Sequence, residues 1–181
     1  MRVLIVGPQG AGKGTQAVLL AENLKVPHIS TGDIFRANVG AGTDLGMLAK
    51  RYMDDGELVP DEVTSAMVSA RLAEPDAEPG FLLDGFPRTA PQARWLQGLL
   101  AERGQKIDSV LLLEVPDHVL MERMLARGRA DDTVDTITRR LELYHTETKP
   151  LLDYYANLVV PVDGSGTVDE VQQQALTALD R

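Results

Sequence analysis

The sequence predicts an α/β domain built on a five-stranded parallel sheet with helices on both faces. Three observations predict it. Five short apolar runs, several of them apolar at successive rather than alternate positions, read as strands covered on both faces. Amphipathic stretches lie between them, and that alternation calls for parallel strands joined by right-handed crossovers. The 181 residues, 44% hydrophobic and 25% charged, suffice for one domain with a real core.

Val3–Val6 is the first strand, and Ala17, Leu20, Ala21 and Leu24 follow at helical spacing. Val26–Ser30 is the second strand, and Ser30 with Asp33 has capping-box spacing for a new helix. Val63, Met67 and Ala70 mark another helix, Glu74–Gly80 a loop, and Phe81–Asp84 the third strand. Trp95, Leu99 and Leu100 read as core or interface. Val110–Val115 is the fourth strand, and Pro116-Asp117 opens a helix. A short polar excursion, Ala126–Thr133, is rich in Arg and Asp. Ile137, Leu141 and Tyr144 restore helical spacing, and Leu158–Val162 is the fifth strand. Thr167 and Glu170 form a second capping-box pattern before Val168, Val171, Ala175 and Leu179.

A net charge of -9 argues against general nucleic-acid binding, which needs a basic face. Zero cysteines exclude disulfides, thiolate metal sites and thiol catalysis. No apolar run approaches the ~20 residues of a membrane span, and Gly7 cuts the first strand too short for a signal-peptide core. The expectation is a soluble, cytoplasmic, monomeric protein with neither nucleic-acid nor membrane partner.

Gly7-Pro-Gln-Gly10-Ala11-Gly12-Lys13-Gly14-Thr15 stands where a P-loop must, between a strand and a helix. Its glycines let successive N–H groups converge, and the following helix adds its positive end. Lys13 brings a point charge to β/γ-phosphates, and Thr15 a hydroxyl for phosphate or a Mg²⁺ shell. Gly14 stands where Ser or Thr is usual. Downstream, Ser30-Thr31-Gly-Asp-Ile-Phe-Arg36 sets a hydroxyl at a helix start and an arginine one turn on. Asp84 ends the third strand, where α/β sheets place ligands, and suits Mg²⁺ held through water. Arg88 supplies a forked donor for phosphate oxygens. Five of the thirteen arginines, Arg123, Arg127, Arg129, Arg139 and Arg140, crowd into one short stretch of an acidic chain.

These strings resemble the adenylate kinases over nearly the whole chain, Met1 to about Gly166. The Gly-Lys-Gly-Thr ending of the phosphate loop, Ser30–Arg36 and Asp84-Gly85-Phe86-Pro87-Arg88 carry the resemblance. It implies a P-loop three-layer fold with core 1–29, 60–125 and 134–181, a helical nucleoside-monophosphate region 30–59, and a short lid 126–133. It implies ATP at Gly10, Ala11, Gly12, Lys13, Gly14, Thr15, Arg123, Arg127 and the Gly166 loop. AMP falls to Thr31, Arg36, the Glu57, Leu58 and Val59 backbone, Gly85, Phe86, Pro87, Arg88, Gln92, Arg129 and Arg140. The implied catalytic cations are Lys13, Arg88, Arg123, Arg129 and Arg140, with Arg139 outside the pattern. Asp131 and Asp132 lie close enough in sequence to hold neighbouring guanidinium groups.

The sequence departs from many bacterial relatives in its lid, where only Gly128–Thr133 stand in place of a few dozen residues. With no cysteine, zinc is excluded on ligand chemistry. In cytidine/uridine monophosphate relatives an Asn follows the arginine of the Asp84–Arg88 string; here it is Thr89. The implied reaction is Mg·ATP + AMP = 2 ADP, with ATP, AMP and ADP as partners. The alternatives are another nucleoside monophosphate kinase and, from a different class, a slowly hydrolysing nucleotide switch. His28 and His145 are not given roles, and Asp54–Glu57 reads as a solvated turn.

Overall fold

The computed structural model describes residues 1–180. In chain order the elements are β1 (Arg2–Val6), α1 (Lys13–Leu24), β2 (His28–Ser30), α2 (Thr31–Ala41), α3 (Asp44–Asp54) and α4 (Asp61–Leu72). Then come β3 (Phe81–Asp84), α5 (Ala90–Glu102), β4 (Ser109–Glu114), α6 (Asp117–Arg127), α7 (Val134–Leu143), α8 (Leu151–Tyr154), β5 (Val159–Asp163) and α9 (Val168–Leu179). A π-helical turn, Tyr144–Thr148, joins α7 to α8.

The five strands form one all-parallel sheet in the order β2-β3-β1-β4-β5. Successive side chains point to opposite faces, which is why the runs read as continuously apolar. One face buries Val3, Ile5, Leu82, Leu111 and Leu113 beneath α1, α6, α7 and α9. The other buries Leu4, Val6, Leu83, Val110 and Leu112 beneath α4, α5 and α8. A third, smaller cluster of Phe35, Ala49 and Val59 gives α2 and α3 a core of their own.

Local signals set the helix starts. Ser30, Thr43, Thr89, Thr133 and Thr167 each accept a hydrogen bond from a backbone N–H in their helix's first turn, worth about 1 kcal/mol apiece. Only Thr167 completes the reciprocal capping box with Glu170. Ser30 makes half of one, because the Asp33 carboxylate turns to Arg36 instead. Asp117 is the first residue of α6 rather than its cap, and α6 runs on through Arg127.

Two helical stripes are displaced from the reading above. On α4 the buried residues are Thr64, Ser65, Val68 and Leu72, while Val63 and Met67 lean on the small third cluster. Val168 is exposed at the start of α9. The Glu74–Gly80 loop contains a 3₁₀ turn, Pro75–Ala77, with Ala77 buried.

The parallel register puts Ile5, Asp84 and Ser30 in one row across β1, β3 and β2. The phosphate loop, Gly85–Arg88 and α2 therefore all leave the sheet along its carboxyl edge. That edge is where open α/β sheets bind ligands.

Candidate active site

A cleft of about 600 Å³ opens along that edge. Gly10, Gly12, Lys13, Gly14 and Thr15 form its floor beside Asp84. Lys13 is half-buried, and its enclosed ammonium donates to the Pro8 carbonyl at 2.9 Å. Burial pulls its pKa down to about 8; Asp84 pushes back, while Arg88 and Arg127 add to the fall. Ala11 is buried beneath the loop and does not face the cleft.

A second cavity of about 70 Å³ adjoins the first, lined by Thr31, Phe35, Glu57, Leu58, Val59 and Gln92 among others. Thr31 is buried and donates to the Gly85 carbonyl at 3.1 Å. That approach needs Gly85: its φ is +83°, and a Cβ there would stand 2.6 Å from Thr31 Oγ1. Gln92 is 3% exposed, with both ends of its amide in use. Its Oε1 accepts from the Arg88 N–H at 2.7 Å, and its Nε2 donates to Asp61 at 2.6 Å. One lone pair and one N–H remain for a ligand. Phe86 faces away, stacked edge-on against Trp95 at 5.8 Å; Pro87 lines the larger cleft.

Cations surround the junction, and Arg36, Arg88 and Arg140 line both cavities. Arg88 Nε donates to the Gly85 carbonyl at 2.9 Å. Its guanidinium is enclosed, and burial lowers its pKa against the pull of Asp84, with Arg140 and Arg36 adding repulsion. The Arg129 guanidinium lines the larger cleft and makes no hydrogen bond to the described residues; burial and the neighbouring Arg36 and Arg127 lower its pKa. Arg36 is paired with Asp33 at 2.5 Å.

The short lid holds the other two. Arg127 meets Asp132 in a fork at 2.9 and 2.8 Å. Arg140 is bound by Asp131 and by Asp132, the latter at 3.2 Å, and donates to the Met53 carbonyl at 3.1 Å. The Asp132 side chain is 0% exposed. The two aspartates thus do hold guanidinium groups. Arg123 lines the cleft and donates to the Gly164 and Ser165 carbonyls at 3.0 and 3.5 Å. Gly166 belongs to that same loop but lines neither cavity.

The sequence reading misses three neighbours of this site. His28 lines the larger cleft 3.6 Å from Asp84, its Nε2 buried without a hydrogen-bond partner. Tyr144 and Thr148 reach the same cleft from the π turn. Burial, with Glu114 and Asp117 nearby, pushes the Tyr144 phenol up to about 12, so it keeps its proton. Spacing alone assigned Tyr144 to a core stripe, and no local signal separates the two roles. His145 pairs with Asp117 at 3.0 Å, away from both cavities.

The Asp84 carboxylate accepts no hydrogen bond from the described residues, and it is 7% exposed. A buried carboxylate with idle lone pairs beside a phosphate loop fits a hydrated Mg²⁺. No group of three or more acidic or histidine side chains among the described residues could cage a metal alone. Phosphate and water would complete the shell.

A phosphate loop, a second cation-lined cavity and arginines shared between them suit two phosphorylated ligands. Comparison with known proteins agrees. Residues 5–160 match the family model described as adenylate kinase. The chain belongs to the adenylate kinase family. It is similar along its entire length, and theirs, to adenylate kinases of Nocardia farcinica at 59% identity, Rhodococcus erythropolis at 56% and Mycobacteroides abscessus at 56%. The all-parallel sheet with helices on both sides is the arrangement expected of an adenylate kinase. No described helix is long and apolar enough to cross a membrane.

Proposed function

We propose that the chain transfers the γ-phosphoryl group of Mg·ATP to AMP, reversibly, giving two ADP. One observation carries this reading: Arg36, Arg88 and Arg140 line both the phosphate-loop cleft and the smaller cavity beside it. Cations common to two phosphate sites suit transfer between them, and a nucleotide switch would have no use for the second.

On this reading ATP lies with its phosphates on Gly10–Thr15, between Lys13 and Arg127, and its base toward Arg123 and the Gly164–Gly166 loop. AMP lies with its base between Thr31, the Glu57–Val59 backbone and Gln92, and its phosphate on Arg36 and Arg88. Asp84 would hold Mg²⁺ through water, with Thr15 nearby, where the ion neutralises phosphate charge. The AMP phosphate oxygen is already a nucleophile, so no side chain need remove a proton. Lys13, Arg88, Arg129 and Arg140 stabilise charge on the transferring group's equatorial oxygens, since catalysis here is mostly positioning and electrostatics. Crowded cations with lowered pKa values pre-form the anion site, because phosphate relieves their repulsion. The region 30–59 and the lid 126–133 act as moving parts around a fixed core, and the enzyme works as a cytoplasmic monomer.

The test is nucleotide turnover with AMP omitted, then with each of the four monophosphates. Silence without AMP and preference for AMP are expected. Steady hydrolysis of ATP alone would favour the switch, and equal use of CMP or UMP another monophosphate kinase.

A further inference from the structure

The end of α3 and the chain just beyond it, Met53 to Glu57, lie against α7, far from it in sequence. Thr136 Oγ1 donates to the Asp54 carbonyl at 3.2 Å, and Arg140 Nη2 to that of Met53 at 3.1 Å. Arg139 Nε donates to Glu57 Oε1 at 2.7 Å. Gly56 is buried at φ +72°, and a Cβ there would lie 3.0 Å from the Thr136 carbonyl oxygen and 3.4 Å from Arg139 Cβ. A side chain at 56 would crowd α7 and would have to adopt a left-handed backbone conformation that favours glycine. The expected solvated turn is therefore a docked one.

Two of these contacts end on backbone carbonyls, which any residues at 53 and 54 would supply. Arg139–Glu57 is the one made between two side chains, so it is the one that residue choice decides. Arg139 lines neither cavity, whereas Glu57, Leu58 and Val59 line the smaller one. We propose that Arg139 is a positioning residue for AMP: its ion pair with Glu57 holds the 56–59 backbone against α7, at the height where it meets the base. This rests on the reading that AMP occupies the smaller cavity.

Both partners are partly exposed, 45% and 40%, so the pair is modest and salt-screened. An exposed pair of this kind changes an equilibrium constant by no more than about fivefold. The experiment is steady-state kinetics on Arg139→Gln, Glu57→Gln and the double variant, at low and high salt, with Arg88→Ala as reference. Arg139→Gln is expected to raise KM for AMP ~3- to 5-fold while leaving KM for ATP and kcat unchanged. The effect should vanish in the Glu57→Gln background and shrink at high salt, and Arg139→Lys should recover part of it. An unchanged KM for AMP, an equal rise for ATP, or a full effect without Glu57 would overturn the inference. Arg88→Ala separates the two levels. If it weakens AMP selectively while Arg139→Gln does nothing, this inference alone fails; if it spares AMP, the placement of AMP fails and the inference with it.

Discussion

Lys13 is held in a conflict that substrate relieves. Burial draws its ammonium from 10.5 down to about 8. Between those values the unfolded chain holds a proton that the empty folded chain has released. Stability attributable to this group therefore rises with pH across that window, and its full cost is felt below it. Bound phosphates favour the charged form, so ATP binding should capture a proton when the pH exceeds about 8. Calorimetry in buffers of different ionisation heat should find little uptake near neutrality and growing uptake toward pH ~9, absent in Lys13→Met. No uptake at high pH would mean the ammonium stays charged without ATP. Gln92 is a different case. Read from sequence, its amide contacts adenine; in the fold that amide also braces the Arg88 N–H and Asp61. Gln92→Ala should narrow the preference for AMP over CMP and UMP, mainly by weakening AMP. It should also lower stability by about 1–3 kcal/mol, because buried partners lose their bonds. Specificity constants and melting curves on the one variant check both halves.

At the scale of elements, the short lid depends on Asp132. Its carboxylate receives Arg127, Arg140 and the Arg129 backbone N–H. Burial alone would raise its pKa, but the hydrogen bonds and charge of Arg127 prevail and leave it lowered. The resulting stabilisation is present above the ordinary carboxylate range and is lost as pH falls through the depressed value. From sequence, Asp132 reads as a lid carboxylate that orients neighbouring guanidinium groups, at a stability cost of about 1 kcal/mol or less when lost. Full enclosure of the side chain raises that expectation to about 1–3 kcal/mol. Asp132→Ala should lower kcat by ~10-fold or more, since Arg127 and Arg140 lose the partner that aims them. Retention of full kcat would make the pairing a matter of stability alone. Lid closure in adenylate kinase is one of the established examples of substrate gating; what this chain adds is how two aspartates organise a lid of eight residues.

For the whole molecule, the apolar layers on the two sheet faces form the main core, while α2 and α3 rest mostly on the small cluster of Phe35, Ala49 and Val59. Ligands that bind only the folded chain should stabilise it visibly. ATP at about 100 times its dissociation constant adds ~2.7 kcal/mol. For a chain of this size that is a rise in Tm of roughly 5–10 °C. Differential scanning calorimetry with and without ATP is the check, and a shift under ~2 °C at saturation would mean that the unfolded chain binds nearly as well.

The sequence by itself determined the sheet, the phosphate loop and the strings that carry the site. Strands covered on both faces must be apolar at every position, and a phosphate nest is built from consecutive backbone groups, so both are written contiguously. Its limits lie where contacts join distant segments. Glu57 finds Arg139, Asp54 finds Thr136, and Asp84 faces His28 only because the chain path brings those elements together. On α4, Val63 and Met67 turn to the third cluster because α2 and α3 stand there to receive them. Helical spacing names a face, and only packing decides what that face meets. The tertiary structure alone decided which charges are buried, how the arginines are shared between the cavities, and that a polar turn at 54–57 is docked on α7.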